Sequence, residues 1–470
     1  MDSLQWIDDN RDSLINAADQ VWDFAETLYK EEQSAALLSG MLEEYGFNVK
    51  RGVAGIPTAF VAEYGSGGPV IGILGEYDAR PGLSQDRVPY RKPLQAGGNG
   101  HGCGHNLFGV ACLAAATAVK QAIQSGEVKG TVRFYGCPAE EGGSAKTFMA
   151  RDGLFDDADI CLTWHPGQFN AVMSENMLAT VKVLFRFRGK TAHAAMDPYN
   201  GRSALDAVEL MNVGVNFLRE HMIPDARVHY IITSGGMAPN VVPDYAESMY
   251  VVRAPLSGQL SELFGRVKDI AQGAALMTGT QFEVDVRTGT SNLLLNDTLI
   301  DVLQQKLEQI PPPHYDEAEL AFAREVAQTF PAASAADSLN RLGADGRRAV
   351  DALHGAPLAG NVMPLNRTGS LMPASSDVGD VTWVAPTGQI GTVCHAIGTP
   401  GHSWQLTAQG GMSIGHKGML YAGKVLGAAA LEFLQKPELV AKARAEFEAS
   451  IRATPYVCPI PAGVKPPLNG

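Results

Sequence analysis

Gly97-Gly98-Asn99-Gly100-His101-Gly102-Cys103-Gly104-His105-Asn106 decides how this 470-residue chain is read. It lies between an aliphatic run, Val70–Leu74, and an Ala-rich helical stretch, Leu107–Ile123. Cys103 and His105 are two apart, so a loop can turn both side chains toward one point. Thiolate and imidazole both suit borderline cations such as zinc or manganese. The glycines permit the backbone dihedrals that a wrapping loop needs. The plainer alternative is a glycine-rich turn with incidental His and Cys. Three metal-capable side chains between His101 and His105 argue against it.

Outward from that loop, short β-rich runs alternate with helices. Ala59–Tyr64, Val70–Leu74, Thr131–Tyr135 and Ile160–Thr163 read as strands, with helices over Leu107–Ile123 and Ser144–Ala150. The stretch up to about Phe47 is helical by its apolar spacing. This alternation predicts an α/β fold with a mainly parallel sheet and helices on both faces. The pattern then changes: strand Val181–Phe187, helix Ser203–His221, strands Val228–Thr233 and Ser248–Val252, helix Leu260–Met277, strand Gln281–Arg287. That β-α-β-β-α-β order is the ferredoxin-like unit. We therefore expect residues 181–295 to be an α+β domain inserted into a catalytic α/β domain made of 1–180 and 296–470. Pro331–Pro373, rich in Ala, Gly and Pro, is expected to be a long, partly irregular excursion.

Glu140-Glu141 follows strand Thr131–Tyr135 and the turn Gly136-Cys137-Pro138. Paired carboxylates can divide labour, one holding a metal and the other moving protons. Taken alone, an acidic pair is usually a solvated helix start, and a lone histidine such as His165 is more often structural. The combination is what argues for a site. Asp78, Cys103/His105, Glu140/Glu141 and His165 all fall at or just beyond ends of strands of one predicted sheet, where open α/β folds bind ligands. Near the C-terminus, His402 in Gly398–Trp404 and His395 are competing candidates, and spacing does not choose between them.

The bulk properties narrow the classes. A net charge of −13 without a basic stripe disfavours nucleic acid. No apolar run approaches the ~18 residues of a membrane span. Met1–Asp12 has neither a basic nor an apolar segment of the signal-peptide kind. Six scattered cysteines read as reduced thiols, so a cytoplasmic protein is expected. Gly411-Met412-Ser413-Ile414-Gly415 fits a nucleophile elbow but lacks a preceding strand and the required downstream order; Ser413 is expected to cap the following helix. Gly98–Cys103 lacks the last glycine of a dinucleotide fingerprint, and Leu184 replaces the first glycine of a phosphate loop ending at Gly189-Lys190-Thr191.

Together, His101-Gly102-Cys103-Gly104-His105, Glu140-Glu141-Gly142, His165-Pro166 and Gly189-Lys190-Thr191-Ala192-His193-Ala194-Ala195 resemble the metal-dependent amidohydrolase family of aminoacylases, carboxypeptidase G and plant auxin-conjugate hydrolases. Gly75–Ala79, Asn106, Ser376–Val381 and His402-Ser403-Trp404 resemble more specifically its aminobenzoyl-glutamate hydrolase branch, which uses two related subunits.

The resemblance implies a zinc-peptidase-like catalytic domain with a lid and dimerisation domain inserted. It also implies two divalent metal ions, zinc or manganese, held by Cys103, His105, Glu141, His165 and His402, with Asp78 close by. Glu140 would be the general base. His193 would act in the partner subunit's site, and Asn240 and Arg253 would grip the substrate carboxylate. The implied reaction is attack of metal-held water on the amide of an N-acyl amino acid such as aminobenzoyl-glutamate. The implied assembly is a homodimer through the lid, and the alternative is a non-catalytic or partner-dependent subunit that binds such a molecule. Two positions depart from relatives: Asn106 stands where the auxin-conjugate branch has Asp, and Arg80 where Leu is common.

Overall fold

The structure, a computed structural model, describes residues 3–468. Its strands in chain order are β1 (Asn48–Arg51), β2 (Phe60–Ser66), β3 (Val70–Glu76), β4 (Gly130–Cys137), β5 (Ile160–Gly167), β6 (Ala171–Val172), β7 (Asn176–Met177), β8 (Ala179–Arg188), β9 (Arg227–Ser234), β10 (Tyr245–Ala254), β11 (Gln281–Thr290), β12 (Leu371–Met372) and β13 (Thr387–Val393).

The larger sheet has the order β1-β2-β4-β3-β5-β13-β6. Its inner strands β4, β3, β5 and β13 are parallel, while β1, β2 and β6 run antiparallel at the edges. The inner strands are almost wholly buried, as mostly apolar strands covered on both faces should be. Helix His105–Ser125 lies on this sheet beside helices Arg11–Phe24 and Ser413–Gln435. It is long and apolar enough to cross a membrane, yet 89% of its apolar window is buried inside the fold, so its composition reflects a core helix. The chain places β4 on one side of β3 and β5 on the other, so the carboxyl end of β3 is a switch point where a crevice opens.

The second sheet, β11-β8-β10-β9, is antiparallel throughout. Helices Ala204–Leu218 and Ser257–Thr278 complete the expected β-α-β-β-α-β order. Alternate residues of β10 are buried, so one face is covered by the helices. Val183, Phe185, Met211, Tyr250 and Val267 form a core separate from that of the larger sheet.

Two local expectations are corrected and one is refined. The first part of the excursion is helical, Ala332–Arg341 and Gly343–Asp351, because its alanines favour helix more than its glycines oppose it. His165 lies within β5 rather than after it, since parallel pairing with β13 continues through Gly167. Ser413 is the first residue of its helix rather than the cap, and its hydroxyl donates to Glu319 at 2.6 Å.

Candidate metal centre

The Cys103 loop is built by close backbone approach. Gly104 has φ +78° at the mouth of helix His105–Ser125, and a Cβ there would meet Pro166 at 3.0 Å. A Cβ on Gly102 would sit 2.2 Å from the Leu83 side chain. The Gly102 carbonyl accepts from the His402 backbone N–H at 3.1 Å, which ties the C-terminal histidine loop to the Cys103 loop.

The acidic pair sits in a tight turn after β4. Ala139, at φ +53°, begins it. The buried Glu31 accepts from the Ala139 and Tyr29 N–H groups, at 3.1 and 2.9 Å, and from the Thr58 hydroxyl. Tyr29 Oη donates to the Gly143 carbonyl at 2.6 Å. Asp78 closes the arrangement: Oδ2 accepts from the Glu141 N–H at 2.9 Å, and Oδ1 lies 2.9 Å from His105 Nδ1. One buried carboxylate thus aligns two candidate ligands, as carboxylates behind metal-binding histidines do. His165 Nδ1 lies 2.8 Å from the Pro166 carbonyl, which assigns the proton there and leaves Nε2 facing Cys103 Sγ at 3.5 Å.

Three groups of ligand atoms result, each within 4.8 Å mutually: Cys103/His105/His165, Cys103/Glu141/His402, and Glu76/His105/Glu140. Cys103 is common to the first two groups. Glu141 Oε1 is buried without a hydrogen-bond partner, and His105 Nε2 faces only the Glu76 carboxylate, at 3.2 Å. Orphaned buried acceptors are costly. A divalent cation bound there would satisfy both, and thiolate, imidazole and carboxylate are all donors such a cation takes.

The electrostatics fit the same use. Burial pulls the His105 pKa down, but Glu76, Asp78 and Cys103 outweigh it and hold it well above the ordinary imidazole value. Burial, then the carboxylates of Glu76, Asp377 and Glu141, push Glu140 well above the usual carboxylate range. Burial, assisted by Glu141, pushes the Cys103 thiol up to about 12. A divalent cation reverses that bias by favouring thiolate.

The structure brings Asp78, Cys103, His105, Glu140, Glu141, His165 and His402 into one crevice. His402 reaches Glu141 at 3.5 Å. His395 is buried and absent from all three groups. Among the described residues, no hydrogen bond or ion pair joins His193, Asn240 or Arg253 to this cluster. His193 is exposed, its Nδ1 accepting from the Ala195 and Met196 N–H groups. The exposed Asn240 lies beside it, accepting from the Ala194 N–H through its carbonyl. Arg253 donates to Ser375 Oγ at 3.2 Å.

Sequence reasoning missed Glu76 and Lys146. Glu76 ends β3, and its Oε2 lies 3.2 Å from His105 Nε2. Lys146 is fully buried and pairs with Glu76 at 2.8 Å and Asp377 at 2.5 Å. Glu76 had a readable signal, a carboxylate at a strand's carboxyl end two residues before Asp78; Lys146 had none.

Residues 72–357 match the family model for peptidase family M20/M25/M40. The chain belongs to that family. It is 46% identical over 466 residues to one of the subunits of the p-aminobenzoyl-glutamate hydrolase of Escherichia coli (strain K12), covering 98% of this chain and 97% of that protein. It is 33% identical over 306 residues to a Mus musculus Xaa-Arg dipeptidase, covering 62% and 67%. A crystal structure of the Bacillus subtilis YXEP protein, described as a dinuclear metal-binding peptidase of the M20 family, superimposes with a TM-score of 0.58 at 17% identity, covering 90% of this chain and 98% of that one. This member of the M20/M25/M40 family is a metal-dependent amidohydrolase.

Proposed function

We propose that this enzyme hydrolyses the amide bond of an N-aroyl amino acid of the aminobenzoyl-glutamate class. The observation that carries the reading is the shared sulfur: Cys103 belongs to one group with His105 and His165 and to another with Glu141 and His402, with Glu140 alongside. When bound there, a pair of divalent cations, zinc or manganese, would supply Lewis-acid polarisation of the amide carbonyl and a more acidic water.

Glu140 takes the proton of the attacking water and delivers it to the departing amine. Asp78 holds His105 and the Glu141 turn in register. Arg253, whose guanidinium is shaped for a carboxylate fork, and Asn240 receive the amino acid's carboxylate on the face of the inserted domain.

His193 is exposed and, among the described residues, unbonded to its own cluster; in this reading it donates to the oxyanion in a second copy of the chain. A homodimer through the inserted domain is supported by its exposed apolar residues, among them Phe217 on helix Ala204–Leu218 and Ile231 on the edge strand β9. The six free cysteines support a cytoplasmic setting.

A second reading, a subunit active only with a related partner, is favoured by the name of the Escherichia coli relative, which makes it one of the subunits of its enzyme. The test is the purified chain alone, with manganese or zinc, against aminobenzoyl-glutamate, indoleacetyl-aspartate and Xaa-Arg dipeptides. Turnover of the aroyl-glutamate ahead of the others is expected. No turnover by the chain alone, restored by a second subunit, would favour the alternative, and preference for a dipeptide would refute the substrate class.

A further inference from the structure

Arg80 lies inside the candidate metal centre, where a permanent positive charge is the least expected occupant. Its backbone is fixed: the Arg80 N–H donates to the Gly100 carbonyl and the Gly100 N–H to the Arg80 carbonyl, both at 3.0 Å. The residue is therefore anchored to the loop that carries Cys103. Its guanidinium donates to Glu141 Oε2, and the same Nη1 lies 3.4 Å from His402 Nε2. Two members of the Cys103/Glu141/His402 group are thus engaged by one side chain. Among the described residues, no guanidinium engages the Cys103/His105/His165 group: His105 and His165 are bonded through Nδ1 to Asp78 and to the Pro166 carbonyl.

A guanidinium cannot discharge itself by losing a proton at physiological pH. A divalent cation entering beside Glu141 must share that carboxylate with it and accept repulsion at short range, where charge interactions are least screened. The Arg80 side chain is partly exposed, with 30% of its surface accessible, so it has solvent-facing room to swing without moving its backbone. A carboxylate arriving in the crevice offers the guanidinium a bidentate partner in place of Glu141.

We infer that Arg80 makes the two half-sites unequal, competing with a divalent cation for Glu141 and His402 until a substrate carboxylate draws its guanidinium away. This rests on the two-cation reading above, and it makes binding of the second cation and of an anionic substrate mutually reinforcing, by the same factor in either direction.

The test is manganese(II) chloride titrated by calorimetry into the full-length, metal-stripped chain, with the exchange-coupled spin-resonance signal of paired manganese as a second readout. The unsubstituted chain is expected to take one equivalent tightly and a second at least ~10-fold more weakly. Arg80→Leu is expected to tighten the second equivalent by at least ~10-fold while leaving the first unchanged. Arg80→Gln, nearer in length and polarity, is expected to act in the same direction and serves if the leucine chain does not fold.

In a Glu140→Gln chain, aminobenzoyl-glutamate should tighten the second equivalent, and should not do so in Arg80→Leu/Glu140→Gln. Two equivalents of equal affinity, or a second affinity unmoved in the Arg80 variants, would overturn the competition while leaving the two-cation site standing. Equal tightening by the ligand with and without Arg80 would overturn the release step. If no chain took a second equivalent even at millimolar manganese, the two-cation reading and this inference would fall together.

Discussion

Lys146 offers a sharp test of how the site is held. Its ammonium is fully buried and lies 2.8 Å from Glu76 and 2.5 Å from Asp377, both also buried. Lys146→Met keeps most of the volume and removes the cation. Asp377 would retain its bond from the Lys146 backbone N–H at 2.9 Å, but Glu76 would keep only His105. Removing one partner of a buried ion pair costs on the order of 3–5 kcal/mol, because the remaining charge is left uncompensated. Two carboxylates share this ammonium, which places the expected loss toward the upper end.

The measurement is the urea-unfolding midpoint of the chelator-treated chain at pH 7.5, compared with Lys146→Met at equal m-value. Adding Asp377→Asn to Lys146→Met should recover part of the loss, since it removes one orphaned charge. A loss below about 1 kcal/mol, or a further drop in the double variant, would refute the claim that this ion triad underpins β3.

Glu140→Gln should retain its metal content and lose kcat by ~10²–10⁴-fold, measured by steady-state kinetics beside elemental analysis; near-normal turnover would remove it as general base. Gly100→Ala would place a Cβ 2.2 Å from the Leu83 carbonyl oxygen, a backbone atom that cannot step aside. Its bound metal should fall well below that of the unsubstituted chain, and full loading would show that the Cys103 loop tolerates displacement. Burial and Asp78 raise the Glu31 carboxyl from 4.5 to about 8, against opposing bonds from Tyr29 and Thr58. The stability this confers is present below pH 4.5 and is lost as pH rises through 8. Glu31→Gln lacks that titration, so its melting temperature relative to the unsubstituted chain should climb from pH 5 to pH 9. Parallel pH profiles would contradict the buried-acid reading.

Most of the candidate cluster was legible because ligand-capable side chains gather at strand ends in such folds, and strand ends can be read from short aliphatic runs. β3, β4 and β5 each delivered a candidate: Asp78, Glu140/Glu141 and His165. The choice between His395 and His402 was not legible from spacing, because it depends on a backbone bond between His402 and Gly102 that spans 300 positions of the chain. Lys146 was invisible for a different reason. A lysine at the start of a short helix looks solvated until Glu76 and Asp377 are brought against it from distant segments. The excursion after Pro331 was legible only in outline: it is partly irregular, as expected, and its alanines form two helices before the irregular part. The antiparallel sheet β11-β8-β10-β9 and its helices were the easiest part, since the alternation in β10 and the periodic helices around it are local signals.

The central claim is that Cys103 is shared by two cations. An anomalous-difference map from crystals soaked in millimolar manganese tests it directly. The account requires two peaks within bonding reach of the Cys103 sulfur, one beside His105 and His165, the other beside Glu141 and His402. A single peak that ignores Cys103, or manganese bound only outside this crevice, would contradict it.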